Sequence, residues 1–160
     1  MQKQGSNNSS LPIVEAHLRK RGVACNYPAK GVLAFTAACD CCGRSFDFEV
    51  KSAGKDALEF NAFSPFQISA NQEVDTNRLI NLYSEKAPLP LVTALDTTRM
   101  RIKVRHFMFT VDKDWALRID DIIDHVTYEI SGVSDSISPL VVDGEDFDTA
   151  AARLVEGLNE

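Results

Sequence analysis

At Gly31 the spacing of apolar side chains falls from three or four residues to two, and no other feature of this 160-residue chain restricts its fold as much. Leu33, Phe35 and Ala37 alternate with smaller residues, Phe46, Phe48 and Val50 alternate with Asp47, Glu49 and Lys51, and Leu58, Phe60 and Ala62 repeat the pattern. Successive side chains of a strand point to opposite faces, so this period describes strands with one face in a core and the other toward water. An antiparallel sheet tolerates that arrangement, whereas a parallel sheet needs both faces covered. The punctuation agrees: 40–43 is a turn between the first two strands, and the Ser/Gly-containing stretch 51–55 separates the second from the third. Pro65 cannot donate to a ladder, so it marks either an edge position or the end of pairing.

The flanking segments return to helical spacing. Leu11, Val14 and Leu18 share a face, with Ser10 as predicted N-cap, Pro12 in the first turn and Gly22 as the stop. A second helix is predicted over 77–85 on Leu79, Ile80, Leu82 and Tyr83, halted by Pro88 and Pro90. Strands over 91–95 and 99–110 then form a second hairpin about Asp96, Thr97 and Thr98. Asp114 is the predicted cap of a long helix carrying Leu117, Ile122, Val126, Ile130, Val133 and Ile137, with Pro139 and Gly144 at its end. Phe147, Ala151, Leu154, Val155 and Leu158 fall on one face of a short last helix, with Glu145, Asp146 and Asp148 near its positive N-terminal end. That helix either docks on the domain or serves as a partner-binding peptide. The expected fold is α+β: an antiparallel sheet of about five strands with helices mainly on one face, in the order α-β-β-β-α-β-β-α plus the short C-terminal helix. The expected organisation is a disordered polar tail over 1–10, one domain over 11–142 and an acidic amphipathic helix over 143–160, with no internal repeat.

Several stretches carry a likeness. Gly22-Val23 followed by Gly31-Val-Leu33-Ala-Phe35, then Ser45-Phe-Asp-Phe-Glu-Val50, then the run from Leu58 to Phe66, then Asn77-Arg-Leu-Ile-Asn-Leu82, occur in an order that resembles the YbjN family of bacterial sensory-transduction-regulator-like domains. The likeness spans roughly residues 11–142 and rests on hydrophobic spacing and element order. It implies the fold of the type III secretion chaperones, a domain often paired with a second copy that binds other proteins, and no catalytic residues.

Charge narrows the partners. With 17 Lys and Arg against 23 Asp and Glu the chain carries −6, a balance unsuited to a dedicated nucleic-acid binder, whose affinity comes from clustered cations on phosphates. No run approaches the ~20 apolar residues of a membrane span, and the polar opening lacks the apolar stretch of a secretory signal. A cytoplasmic location with reduced thiols is therefore expected, with no membrane and no nucleic-acid partner.

Three groups of residues could carry chemistry. Cys39-Asp-Cys41-Cys42-Gly43-Arg44 contains C-x-x-C followed by Gly, half of a zinc knuckle. A closed metal site there needs further ligands from Cys25, His17, His106, His125 or another subunit. The same turn also reads as a redox pair, or as a hairpin that is merely thiol-rich. A catalytic cysteine would need a base that the sequence does not place beside it. Asp120, Asp121, Asp124 and His125 share helix faces at four-residue spacing, the pattern of a carboxylate site and equally of a solvated face. Arg99, Arg101, Lys103 and Arg105 alternate with Met100, Ile102 and Val104, so one face of that strand is a basic stripe. Its charge is relieved by Asp47 and Glu49 of a neighbouring strand, by the acidic C-terminal segment, or by an acidic partner. If the alternation continues, Phe107 and Phe109 lie beside the arginines as an exposed end; if a bulge intervenes near Arg105 and His106, they turn inward.

The expected function is a non-enzymatic protein-binding module, chaperone-like or a regulatory adaptor, paired as a homodimer, with Arg99, Arg101, Lys103, Arg105, Phe107 and Phe109 as partner-binding residues. The alternative is a metal-binding or thiol-redox protein organised on Cys39, Cys41 and Cys42. No cofactor is expected, and the domain should fold without metal.

Overall fold

A computed structural model of the chain describes residues 10–87 and 91–159. Most of the tail predicted over 1–10, and the Pro88 and Pro90 helix stop, lie outside the described residues. The elements run α1 (Leu11–Lys20), β1 (Cys25–Ala29), β2 (Val32–Ala38), β3 (Ser45–Ser52), β4 (Ala57–Phe63), α2 (Glu73–Lys86), β5 (Val92–Asp96), β6 (Arg101–Phe109), α3 (Ile119–Val141) and α4 (Phe147–Gly157). The strands form one antiparallel sheet in the order β1-β2-β3-β4-β6-β5. The class is α+β, as the alternation requires, with six strands among the described residues where about five were expected.

The additional strand is β1. It shows no alternation: only Cys25 is half-buried and the next four residues are exposed. It contains Pro28, and its register to β2 slips between Asn26 and Ala29. An exposed edge strand has no core face to imprint a period on its sequence, and the edge is where a proline costs no ladder bond. The loop to β2 is Lys30 and Gly31, and Gly31 sits at φ +75°, a conformation that a side chain would strain.

One face of the sheet holds the core. Leu33, Phe35, Phe46, Phe48, Val50, Leu58, Phe60, Ala62, Ile102, Val104 and Met108 are all buried there, with Phe35 and Phe48 stacked at 5.0 Å between ring centroids. Helices α1 and α3 pack on this face, and α3 brings Ile119, Ile123, Val126, Ile130, Val133, Ile137 and Leu140. This stripe begins later than predicted. Asp114 makes no side-chain cap, residues 115–118 form a 3₁₀ turn, and Leu117 is 78% exposed. Pro139 does not end the helix; it lies buried in the last turns, where the Ser138 hydroxyl donates to the Asp135 carbonyl that the proline cannot reach. At α1, Ser10 caps with its carbonyl, which accepts the Ile13 and Val14 N–H groups, and not with its side chain.

Helix α4 docks in cis on α2 and α3, burying Ala150 and Leu154. Its N-cap is Asp146, which accepts the Thr149 N–H at 3.0 Å, and Arg78 of α2 covers the Phe147 ring at 3.6 Å. No helix among the described residues is long and apolar enough to cross a membrane.

Candidate functional site

The helices leave the second face of the sheet bare. The register places Asp47, Phe63 and Lys103 in one row across β3, β4 and β6, Glu49, Asn61 and Arg105 in the next, and Lys51, Glu59 and Phe107 in the third. Glu59, Asn61 and Phe63 of the central strand are only 8%, 3% and 2% exposed although no helix covers them. Long charged side chains from the flanking strands and from the β5–β6 turn form their roof. Arg99 and Arg101 lie over the Phe63 ring at 4.4 and 5.6 Å and reach across it to Glu49 at 2.6 Å and Asp47 at 2.9 Å. Arg101 also donates to the Ser64 carbonyl at 2.6 Å. Lys51 and Arg105 converge on Glu59 at 3.6 and 3.1 Å, and Asn61 donates to the same carboxylate at 2.9 Å.

The basic stripe is thus neutralised inside the domain. Asp47 and Glu49 take Arg101 and Arg99 as expected, but Lys103 turns to Asp96 of β5 at 3.8 Å and Arg105 to Glu59 of β4. Glu59 was missed because its place in an alternating strand marks it as a solvated position, and only the neighbouring register makes it a shared counter-ion.

The phase of β6 holds. Its pairing with β4 runs without a slip from Ala57 opposite Phe109 to Phe63 opposite Lys103, so no bulge turns the aromatics inward. Phe107 and Phe109 are 42% and 65% exposed beside Arg105, and Val92, opposite Arg105 on β5, is 59% exposed. His106 faces the helices, edge-on to His125 at 6.1 Å. Burial, and then the His125 charge, lower its pKa. At the β2 end of the sheet a cleft of about 960 Å³ opens beside the small side chains of Ala34, Thr36 and Ala38.

The cysteine turn joins β2 to β3 beside this cleft, which Asp40 of the turn also lines. The Cys39 N–H donates to the Arg44 carbonyl at 2.7 Å and the Gly43 N–H to the Cys39 carbonyl at 2.8 Å; Gly43 closes the turn at φ +68°. The sulfurs of Cys39, Cys41 and Cys42 lie within 4.8 Å of one another, Cys39 buried and the other two exposed, with Cys39 and Cys41 sulfurs 2.6 Å apart. Cys42 rests against the Ser131 hydroxyl of α3 at 3.4 Å, and Arg44 pairs with Asp135 one turn further on. The Ser131 hydroxyl, then the Arg44 N–H and guanidinium, pull the Cys42 thiol down to about 6, while a hydrogen bond with the Cys39 thiol, and then burial, push Cys41 up to about 11. Ser131 and Asp135 are spaced to share a helix face, yet nothing local in the sequence points that face at the turn. Among the described residues Cys25, His17, His106 and His125 do not join the cluster. Asp120 is engaged elsewhere, with His17 at 2.9 Å and Arg21 at 3.4 Å, while Asp121, Asp124 and His125 are exposed on α3.

No protein-family profile, curated protein or solved structure matches this chain.

Proposed function

We propose that this chain is a non-enzymatic protein-binding module, chaperone-like or a regulatory adaptor of the bacterial cytoplasm, that works as a homodimer through the bare face of its sheet. The carrying observation is the cluster of Phe107, Phe109 and Val92, exposed together on the helix-free face. Adjacent apolar side chains at one spot on a small domain favour burial against a partner. The occupant that fits is a second copy. Arg105 and Lys103 beside the patch are already paired with Glu59 and Asp96, so little unbalanced charge is left to select an acidic partner. A two-fold axis through the patch would set Phe109 against its own equivalent and bury the same surface on both copies. The resemblance to the YbjN family supports the same reading, since domains of that kind pair and bind proteins.

Sedimentation equilibrium tests it. The wild-type chain should be dimeric at micromolar concentration, and the double variant Phe107→Ser, Phe109→Ser should be monomeric with a melting temperature within a few degrees of wild type, because both side chains lie outside the core. A wild-type chain that stays monomeric at high micromolar concentration, or a double variant that still pairs, contradicts the proposal.

A further inference from the structure

The chemistry of the cysteine turn has no part in that reading. We infer that the turn is a binding site for a soft monovalent metal ion, the cuprous ion, held by the sulfurs of Cys39, Cys41 and Cys42. Three thiol sulfurs within 4.8 Å of one another on one backbone turn form a donor set in which a single ion can touch all three. Thiolate sulfur selects soft, thiophilic ions over hard ones. The number of donors narrows the choice further: structural zinc is held by four protein ligands, and among the described residues no histidine or carboxylate joins these three. Three sulfurs suit a trigonal cuprous ion.

The surroundings fit a bound ion. Two backbone hydrogen bonds and Gly43 hold the turn closed without metal, so the ligands are presented by a folded hairpin. Cys42 is oriented by the Ser131 hydroxyl and the Arg44 N–H, and Asp135 holds the Arg44 guanidinium beside it. Three thiolates and one monovalent cation leave a charge of −2, which the neighbouring guanidinium partly offsets. A metal–sulfur distance of about 2.3 Å in trigonal geometry spaces the sulfurs about 4 Å apart. Exposed Cys41 must therefore swing outward from its 2.6 Å contact with Cys39 when the ion enters.

The test is an anaerobic titration of the reduced full chain with cuprous ion buffered by a chromogenic chelator. Wild type should take one equivalent. Cys42→Ser and Cys41→Ser should each weaken binding by more than the about 10-fold loss expected on removing the supporting carboxylate with Asp135→Asn. Cys25→Ser, on β1 outside the cluster, should bind as wild type does. Thermal melts should show every variant folded, and chelator should leave the wild-type melt unchanged. A wild-type chain that cannot compete with the chelator, binding unaffected by Cys42→Ser, or tighter retention of zinc than of cuprous ion would each overturn the assignment.

Discussion

Replacing both Arg101 and Lys103 with Glu is expected to lower the stability of the domain by about 2–3 kcal/mol. Single cross-strand pairs are worth about 0.2–1 kcal/mol, but this variant does more than delete two. It sets new carboxylates beside Asp47 and Asp96, the present partners at 2.9 and 3.8 Å. It removes the Arg101 bond to the Ser64 carbonyl and strips part of the cover from Phe63, an aromatic ring 2% exposed on a face that no helix reaches. Both cations are themselves less than one-fifth exposed, so solvent screens the reversal less than at an open surface. Urea melts at low and high salt measure it: the midpoint should fall, and added salt should recover part of the loss. An unchanged midpoint would mean that the arginine roof contributes nothing to stability.

Glu129→Gln is expected to act in the opposite direction and stabilise the domain at pH 7, because burial opposes the charged carboxylate and glutamine carries no charge. Glu129 is 6% exposed on α3, and its Oε1 has no hydrogen-bond partner among the described residues. Burial raises its pKa against the opposing hydrogen bond from Tyr83. A carboxyl whose pKa is raised on folding holds its proton more tightly in the folded chain. Its favourable contribution is complete below the ordinary carboxylate pKa of about 4.3 and is lost as pH rises through the folded value. Glutamine keeps an acceptor for the Tyr83 hydroxyl and cannot ionise. The advantage of the variant should therefore be large at pH 7 and shrink toward pH 4 in paired thermal melts. A variant less stable than wild type at pH 7 would show that the carboxylate is stabilised in its charged form.

The strands that line the core were legible because burial on one face writes a period of two into the sequence. Leu33 to Ala37, Phe46 to Val50 and Leu58 to Ala62 all fall on the predicted faces. β1 was not legible, since Cys25 to Ala29 have no buried face, and the start of α3 was misplaced because Leu117 fits a helical stripe while the 3₁₀ turn rotates it into solvent. For the surface, the sequence placed the basic stripe and two of its partners, Asp47 and Glu49, but not Glu59 and Asp96. Which carboxylate meets which cation depends on strand order and on β4 lying between β3 and β6, and that order belongs to the fold as a whole. The fate of Phe107 and Phe109 turned on the presence or absence of one bulge, a single-residue register event that alternation alone does not fix. The cysteines were found by spacing, whereas their supports Ser131 and Asp135 lie 89 and 91 residues along the chain from Cys42 and Arg44.

Hydroxyl-radical footprinting over a dilution series puts the bare-face proposal to its most direct test. Tyr128 on α3 is 68% exposed and Phe109 on β6 is 65% exposed, so the two begin with matched access to solvent on different surfaces. If two copies meet through the bare face, Phe107 and Phe109 will become protected as concentration rises while Tyr128 stays reactive, and protection will vanish on dilution below the dimer dissociation constant. Phe109 labelled as freely as Tyr128 at every concentration, or protection that appears at Tyr128 and not on β6, would contradict the bare sheet face as the pairing surface.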